Sequence, residues 1–172
     1  DRYSSGPRNA IKSTIVNYDW KNFQILAPAL QNLKKYYKPK KLILIGHSGG
    51  AYQGGTIHGK VPGLVDINIL ISCPCDWEIR KKLSNGKKWE TKSQLKELKK
   101  NSPSFNYKDI DLKSLNILIV GKDDKNTAPG VSKYYYDLLK KKKLQVKLHI
   151  IDGGHGLRSM PTIGSIIKEY IN

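Results

Sequence analysis

The chain has 172 residues, 38% of them hydrophobic, and a formal net charge of +17. A domain of this length can bury a core without metals or disulfides. No apolar run approaches the roughly 18 residues of a membrane-spanning helix, and no heptad persists, which sets aside a membrane span and a coiled coil.

An excess of positive charge is the mark of chains that bind nucleic acid or anionic surfaces. Here it is carried by 27 Lys and 4 Arg. Arg is the residue that forks onto phosphate and reads guanine, so solvated lysines account for the charge better, and no specific nucleic-acid partner is expected.

Residues 1–17 are polar, include Gly6 and Pro7, and read as a loop. Phe23, Leu26, Leu30, Leu33 and Tyr37 recur at helical spacing, with Asp19 as a cap and Pro39 as a stop, and predict a helix over 20–37. Leu42, Ile43, Leu44 and Ile45 form a continuous apolar strand. Apolar on both faces, it belongs inside a parallel sheet with a neighbour on each side. A helix begins at Gly49, and further strands are expected at 67–71, 117–120 and 146–151. Helices are expected at 131–142 and 161–171. Strands alternating with helices predict one α/β domain: an open, mostly parallel sheet flanked by helices.

Residues 76–110 differ in composition and form an excursion between two strands, a small cap, with a helix over 91–100. Cys73 and Cys75 stand one residue apart. That spacing is poor for a mutual disulfide and supplies no four-ligand zinc site, so both cysteines are expected to fill space at a strand end. No metal or cofactor is expected.

The segment that carries chemistry is Gly46-His47-Ser48-Gly49-Gly50, directly after a buried strand and directly before a helix. A serine on so sharp a turn needs strained backbone angles, and side chains on either side would clash. The turn lifts the hydroxyl above the sheet, and the amide of Gly49 can donate to a developing oxyanion. Such a nucleophile needs a base, and the base an orienting acid. Two later strands end in suitable loops. One is Gly121-Lys122-Asp123-Asp124, leading to Pro129, and the other is Asp152-Gly153-Gly154-His155. Both lie beyond the carboxyl ends of strands, where open α/β sheets bind ligands.

With these motifs the chain resembles an α/β-hydrolase-fold serine hydrolase of the three-layer sandwich type, from Lys41 onward and especially its dienelactone-hydrolase and prolyl-oligopeptidase-like branches. The resemblance selects Asp124 over Asp123 as acid and His155 as base, with Asp76 as a rival acid. It also implies that the family's first strands and second oxyanion donor precede the given residues, since Asp1-Arg2-Tyr3-Ser4-Ser5-Gly6 loosely matches a segment that follows them. A missing N-terminal segment, or a partner chain, is therefore expected along the strand from Leu42 to Ile45.

The expected activity is hydrolysis of small carboxylic esters through an acyl-enzyme on Ser48. A peptidase of the prolyl-oligopeptidase-like type comes second, and a non-catalytic binding module third. Trp77, Trp89, Phe105 and Tyr107 are candidates for a substrate pocket or for ordinary packing, and His47 lies beside the nucleophile. His58 is expected at the surface, and His149 is expected to pack against a face of the sheet.

Overall fold

The computed structural model describes residues 18–83, 92–157 and 160–171. Four strands, β1 (Ile43–His47), β2 (Ile67–Ile71), β3 (Leu115–Gly121) and β4 (Gln145–Ile151), form one parallel sheet in the order β1-β2-β3-β4. Helices α1 (Trp20–Phe23) and α2 (Leu26–Tyr37) precede it, and α3 (Gly49–Lys60) links β1 to β2. Between β2 and β3 run α4 (Trp77–Leu83), α5 (Lys92–Lys100), α6 (Pro103–Asn106) and a 3-10 turn (Tyr107–Asp109). Helix α7 (Pro129–Lys141) links β3 to β4, and α8 (Pro161–Ile171) closes the fold. Among the described residues no helix is long and apolar enough to cross a membrane.

The alternation of the strands sorts the core into two layers. Ile67, Ile69, Ile71, Ile117 and Ile119 face α8 with Leu157, Ile163 and Ile166. Leu70 and Leu118 point the other way, into a cluster with Ala51 of α3 and Tyr135 and Leu139 of α7. Burying each such side chain contributes about 1.5–3 kcal/mol, which is why β2 and β3 are apolar apart from Asn68, Asn116 and the terminal Gly121.

Strand β1 differs. Its expected neighbours on both sides reduce, among the described residues, to β2 alone. Ile45 stands 48% exposed on this edge.

Three further expectations are corrected. The helix over 20–37 is two helices, broken at Gln24 and Ile25. Pro28 has no amide hydrogen, and the break places it in the first turn of α2, where none is needed. Lys38 then ends α2 in the left-handed conformation just ahead of Pro39. Second, Cys73 and Cys75 are joined as a disulfide across Pro74. The chain bends sharply after β2, with Ser72 at a φ of 48°, and this bend brings the two Cα atoms to 5.1 Å, inside the range that a disulfide spans.

Third, His58 is buried, 1% exposed, not at the surface. Helix α3 is rich in glycine, and the excursion lies directly on it. A Cβ on Gly55 would stand 2.7 Å from Pro103, and one on Gly59 would overlap the Asn106 carbonyl. Tyr52 of α3 donates its hydroxyl to the Leu98 carbonyl at 2.8 Å, and Thr56 donates to that of Asn101 at 2.5 Å. The end of α3 is covered as a result, and His58 Nε2 meets the Ser114 hydroxyl at 3.2 Å. Burial holds the His58 imidazole down to about 4 from its ordinary 6.5, against smaller upward pulls from Asp111 and Asp66. Between those values the unfolded chain binds a proton that the folded chain refuses. Stability present above pH 6.5 is thus lost as the pH falls toward 4. The urea midpoint should drop across this window, and His58→Gln should flatten the drop.

Candidate active site

Strand β1 ends at His47, and the chain turns at once into α3. Ser48 makes the turn with φ 52° and ψ −115°, a conformation that residues with a Cβ seldom adopt. Both sides of the strained residue are anchored. Its amide donates to the Ile71 carbonyl at 2.8 Å, and its carbonyl accepts from the Tyr52 amide at 3.0 Å. A Cβ on Gly46 would lie 2.5–2.6 Å from the Gly50 carbonyl group and the Ala51 nitrogen, so only glycine lets strand and helix approach this closely. Gly50 differs from the expectation that both flanks would clash: a Cβ there meets nothing within 4 Å. Gly49 opens α3, and the Tyr18 hydroxyl stands 3.2 Å from where its Cβ would be.

The loops after β3 and β4 lie against each other. The Lys122 amide continues the ladder onto the Ile151 carbonyl at 2.8 Å, and the Asp123 amide donates to the Gly153 carbonyl at 3.1 Å. A Cβ on Gly121 would overlap that same carbonyl, and Gly153 itself has a φ of 121°. These two glycines allow the contact that carries His155 to Asp124. Asp123 is exposed while Asp124 is 2% exposed, so the two adjacent acids are sorted by burial.

Ser48, His155 and Asp124 form a continuous hydrogen-bonded row. His155 Nε2 lies 2.9 Å from Ser48 Oγ, and His155 Nδ1 lies 2.9 and 3.1 Å from the Asp124 oxygens. An ionised carboxylate only accepts, so Nδ1 carries the proton and Nε2 presents a lone pair to the serine hydroxyl. Burial pushes the Asp124 carboxyl up. Hydrogen bonds from His155 and from the amide and hydroxyl of Thr127, with the charge of the imidazole, outweigh burial and bring it down to about 2. The Asn126 amide adds a bond at 2.9 Å. Such a row can take a proton from the serine hydroxyl and hold the resulting imidazolium against a fixed negative charge.

The other expected residues fall into different places. His47 donates Nε2–H to the backbone carbonyl of His155 at 2.7 Å and so braces the loop that bears His155. Asp76, the rival acid, accepts from the Ile79 amide at 2.8 Å and the Ser104 hydroxyl at 2.6 Å, which ties α4 to α6. Trp77 is 5% exposed and stacks edge-on with Tyr18, in a cluster that includes Tyr52. Phe105 is exposed on α6, Tyr107 is half-buried against the α7 cluster, and Trp89 lies outside the described residues. His149 meets the Tyr170 hydroxyl of α8 at 2.9 Å.

The sequence reading does not single out Arg80 or Thr127. The Arg80 guanidinium lies 4.5 Å over the Trp77 ring and donates to the Asn126 side chain and carbonyl at 2.6 and 3.1 Å. It thereby fastens the loop that bears Asp124 to the excursion. Thr127 is one of many polar loop residues in sequence, and its spacing of three from Asp124 is the one available signal. Among the described residues no group of His, Cys, Asp or Glu is arranged to hold a metal ion.

Residues 3–169 match the prolyl oligopeptidase family. No curated protein matches the chain. Among solved structures, the Pyrococcus horikoshii acylaminoacyl peptidase is similar at 19% identity and a TM-score of 0.69, over 87% of this chain and 27% of that one. Porphyromonas gingivalis dipeptidyl peptidase 4 is similar at 14% identity and a TM-score of 0.69, over 86% of this chain and 21% of that one. An α/β-hydrolase enzyme from the metagenome of lagoon sediments at Mar Chica, Morocco, is similar at 17% identity and a TM-score of 0.54, over 86% of this chain and 68% of that one. At these identities the likeness is one of fold. The chain spans about a quarter of the length of the two peptidases.

The two flanking glycines should respond differently to a methyl group. Gly46→Ala should cost about 1–3 kcal/mol of stability and abolish labelling of Ser48 by a fluorophosphonate. Gly50→Ala should melt within about 2 °C of the parent, as expected for a change of under half a kcal/mol, and keep the labelling.

Proposed function

Because the chain belongs to the prolyl oligopeptidase family, a family of serine hydrolases, we propose that it carries the catalytic machinery of a serine peptidase, with Ser48 as nucleophile, His155 as base and Asp124 as acid. The observation that carries this reading is the hydrogen bond of 2.9 Å between Ser48 Oγ and His155 Nε2, with Asp124 behind the ring. The family match supports a peptide substrate over the small ester favoured by the sequence. The fold likeness to two peptidases fits the same reading.

Ser48 Oγ attacks the carbonyl carbon of the scissile amide while its proton passes to His155 Nε2. The carbonyl oxygen becomes an oxyanion within reach of the Gly49 amide at the start of α3. The imidazolium, held by Asp124, returns its proton to the departing amine as the carbon–nitrogen bond breaks. Water then attacks the acyl-enzyme, gives its proton to His155 and releases the carboxylic acid, and Ser48 recovers its hydrogen. Each oxyanion donor is worth about 10²–10³ in turnover, so a second donor beside Gly49 would raise it by a like factor.

Among the described residues only β2 pairs with β1, which supports a related proposal: a strand from beyond residues 1–172, or from a partner chain, lies along its other side. Leu33, Tyr36 and Tyr37 of α2 are exposed apolar residues as well, as is Ile45 of β1. In the complete assembly, β1 amides that face away from β2 should exchange slowly with solvent, and in residues 1–172 alone they should exchange fast.

A fluorophosphonate should label Ser48 and leave Ser48→Ala unlabelled. With the complete protein, Ser48→Ala should abolish cleavage of a peptide p-nitroanilide. Asp124→Asn should lower kcat by about 10⁴, as expected where the imidazole loses its orienting carboxylate. Asp123→Asn should change it by less than about threefold. A larger loss at Asp76→Asn than at Asp124→Asn would move the acid to the end of β2. Turnover of p-nitrophenyl esters with none of p-nitroanilides would restore the esterase reading. A folded chain that is never labelled would be a binding module.

A further inference from the structure

The hydroxyl of Thr127 lies where the acid, the base and the end of β2 meet. Its oxygen is 2.8 Å from Asp124 Oδ2, 3.1 Å from His155 Nδ1 and 3.1 Å from the Ser72 carbonyl. The residue is 1% exposed, and its amide is bound to Asp124 Oδ1 at 2.8 Å. The Ser72 carbonyl is presented by a residue with a φ of 48°, whose amide is held by the Ile119 carbonyl at 2.8 Å. The bend that follows is closed by the disulfide of Cys73 and Cys75.

Counting protons shows what this hydroxyl can do. The Ser72 carbonyl and the ionised Asp124 carboxylate only accept, and His155 Nδ1–H only donates. The Thr127 hydroxyl alone among these groups both donates and accepts. Its single proton can go to Asp124 or to Ser72, and a rotation about the Cβ–Oγ bond exchanges the two. Whichever way the proton points, the oxygen keeps a lone pair to accept from Nδ1–H.

We propose that Thr127 is a positioning residue, whose hydroxyl donates to Asp124 and at the same time accepts from His155 Nδ1–H, so that one oxygen ties the acid to the imidazole in both charge states of the ring. The ring then keeps its orientation through proton transfer, with no heavy atom moving. The inference rests on the assignment of Ser48, His155 and Asp124 in the proposed function.

Thr127→Val removes the hydroxyl and keeps the shape, whereas Thr127→Ser keeps the hydroxyl. In the complete protein, Thr127→Val should lower kcat about tenfold, the effect of one charge-assisted hydrogen bond, with KM changed less than twofold. The rate of fluorophosphonate labelling should fall by the same factor, because no substrate side chain is involved. Thr127→Ser should stay within about threefold of the parent in both measurements. A Thr127→Val protein with the parent's kcat would overturn the proposal, as would a tenfold loss in Thr127→Ser. The second outcome can be read even if Thr127→Val does not fold. Labelling that persists in Ser48→Ala would instead refute the nucleophile assignment, whatever Thr127 does.

Discussion

At Gly46 the strand β1 passes so close to the first turn of α3 that a methyl group would overlap the Gly50 carbonyl and the Ala51 nitrogen. The link between strand and helix is then a single residue, Ser48, which must take a positive φ to join them. A contact of this kind costs backbone strain, and the surrounding ladder holds it in place. The Ser48 amide extends the pairing of β1 with β2, and its carbonyl begins the helical hydrogen bonds of α3. The serine hydroxyl emerges at the N-terminus of α3, the end of a helix at which backbone amides point outward.

The remaining parts of the site depend on the same continuation of the sheet past its strands. Ser72 extends β2 onto Ile119, and Lys122 extends β3 onto Ile151. Each strand therefore delivers its next residues at one level above the sheet. The loops that bear Asp124 and His155 meet there through Gly121 and Gly153, whose lack of side chains permits backbone contact. Asp124 is then surrounded by donors: the amides of Asn126 and Thr127, the Thr127 hydroxyl and His155. A buried carboxylate is stable only with such partners, and here they keep it ionised in spite of burial.

The excursion after β2 is bound into this arrangement. Asp76 joins α4 to α6, and Arg80 joins α4 to the loop that bears Asp124 through Asn126. Trp77 supplies the surface on which Arg80 lies and packs with Tyr18, itself against Gly49. Of the aromatic residues that the sequence offered either for a substrate pocket or for packing, Trp77 lies in the core, Phe105 is exposed and Tyr107 is half-buried. Sequence composition cannot separate these roles, because an aromatic ring suits a core and a pocket equally well.

The local pattern of the chain determined the strands, the alternation with helices and the order Ser48, Asp124, His155. Continuous apolar runs have few alternatives to buried parallel strands, and the glycines of the elbow have a steric cause that is visible in Gly46 alone. Other features required residues far apart in the chain to be brought together. The burial of His58 depends on Asn106 and Pro103 covering the glycines of α3, and the joining of Cys73 to Cys75 depends on the bend after β2. The partnership of Thr127 with Ser72 and His155 spans 55 and 28 residues. Backbone propensity and apolar periodicity act over one or two turns of chain, so they decide elements and their order. Which polar groups meet is decided by the packing of those elements, because a hydrogen bond depends on tenths of an ångström that no local pattern encodes.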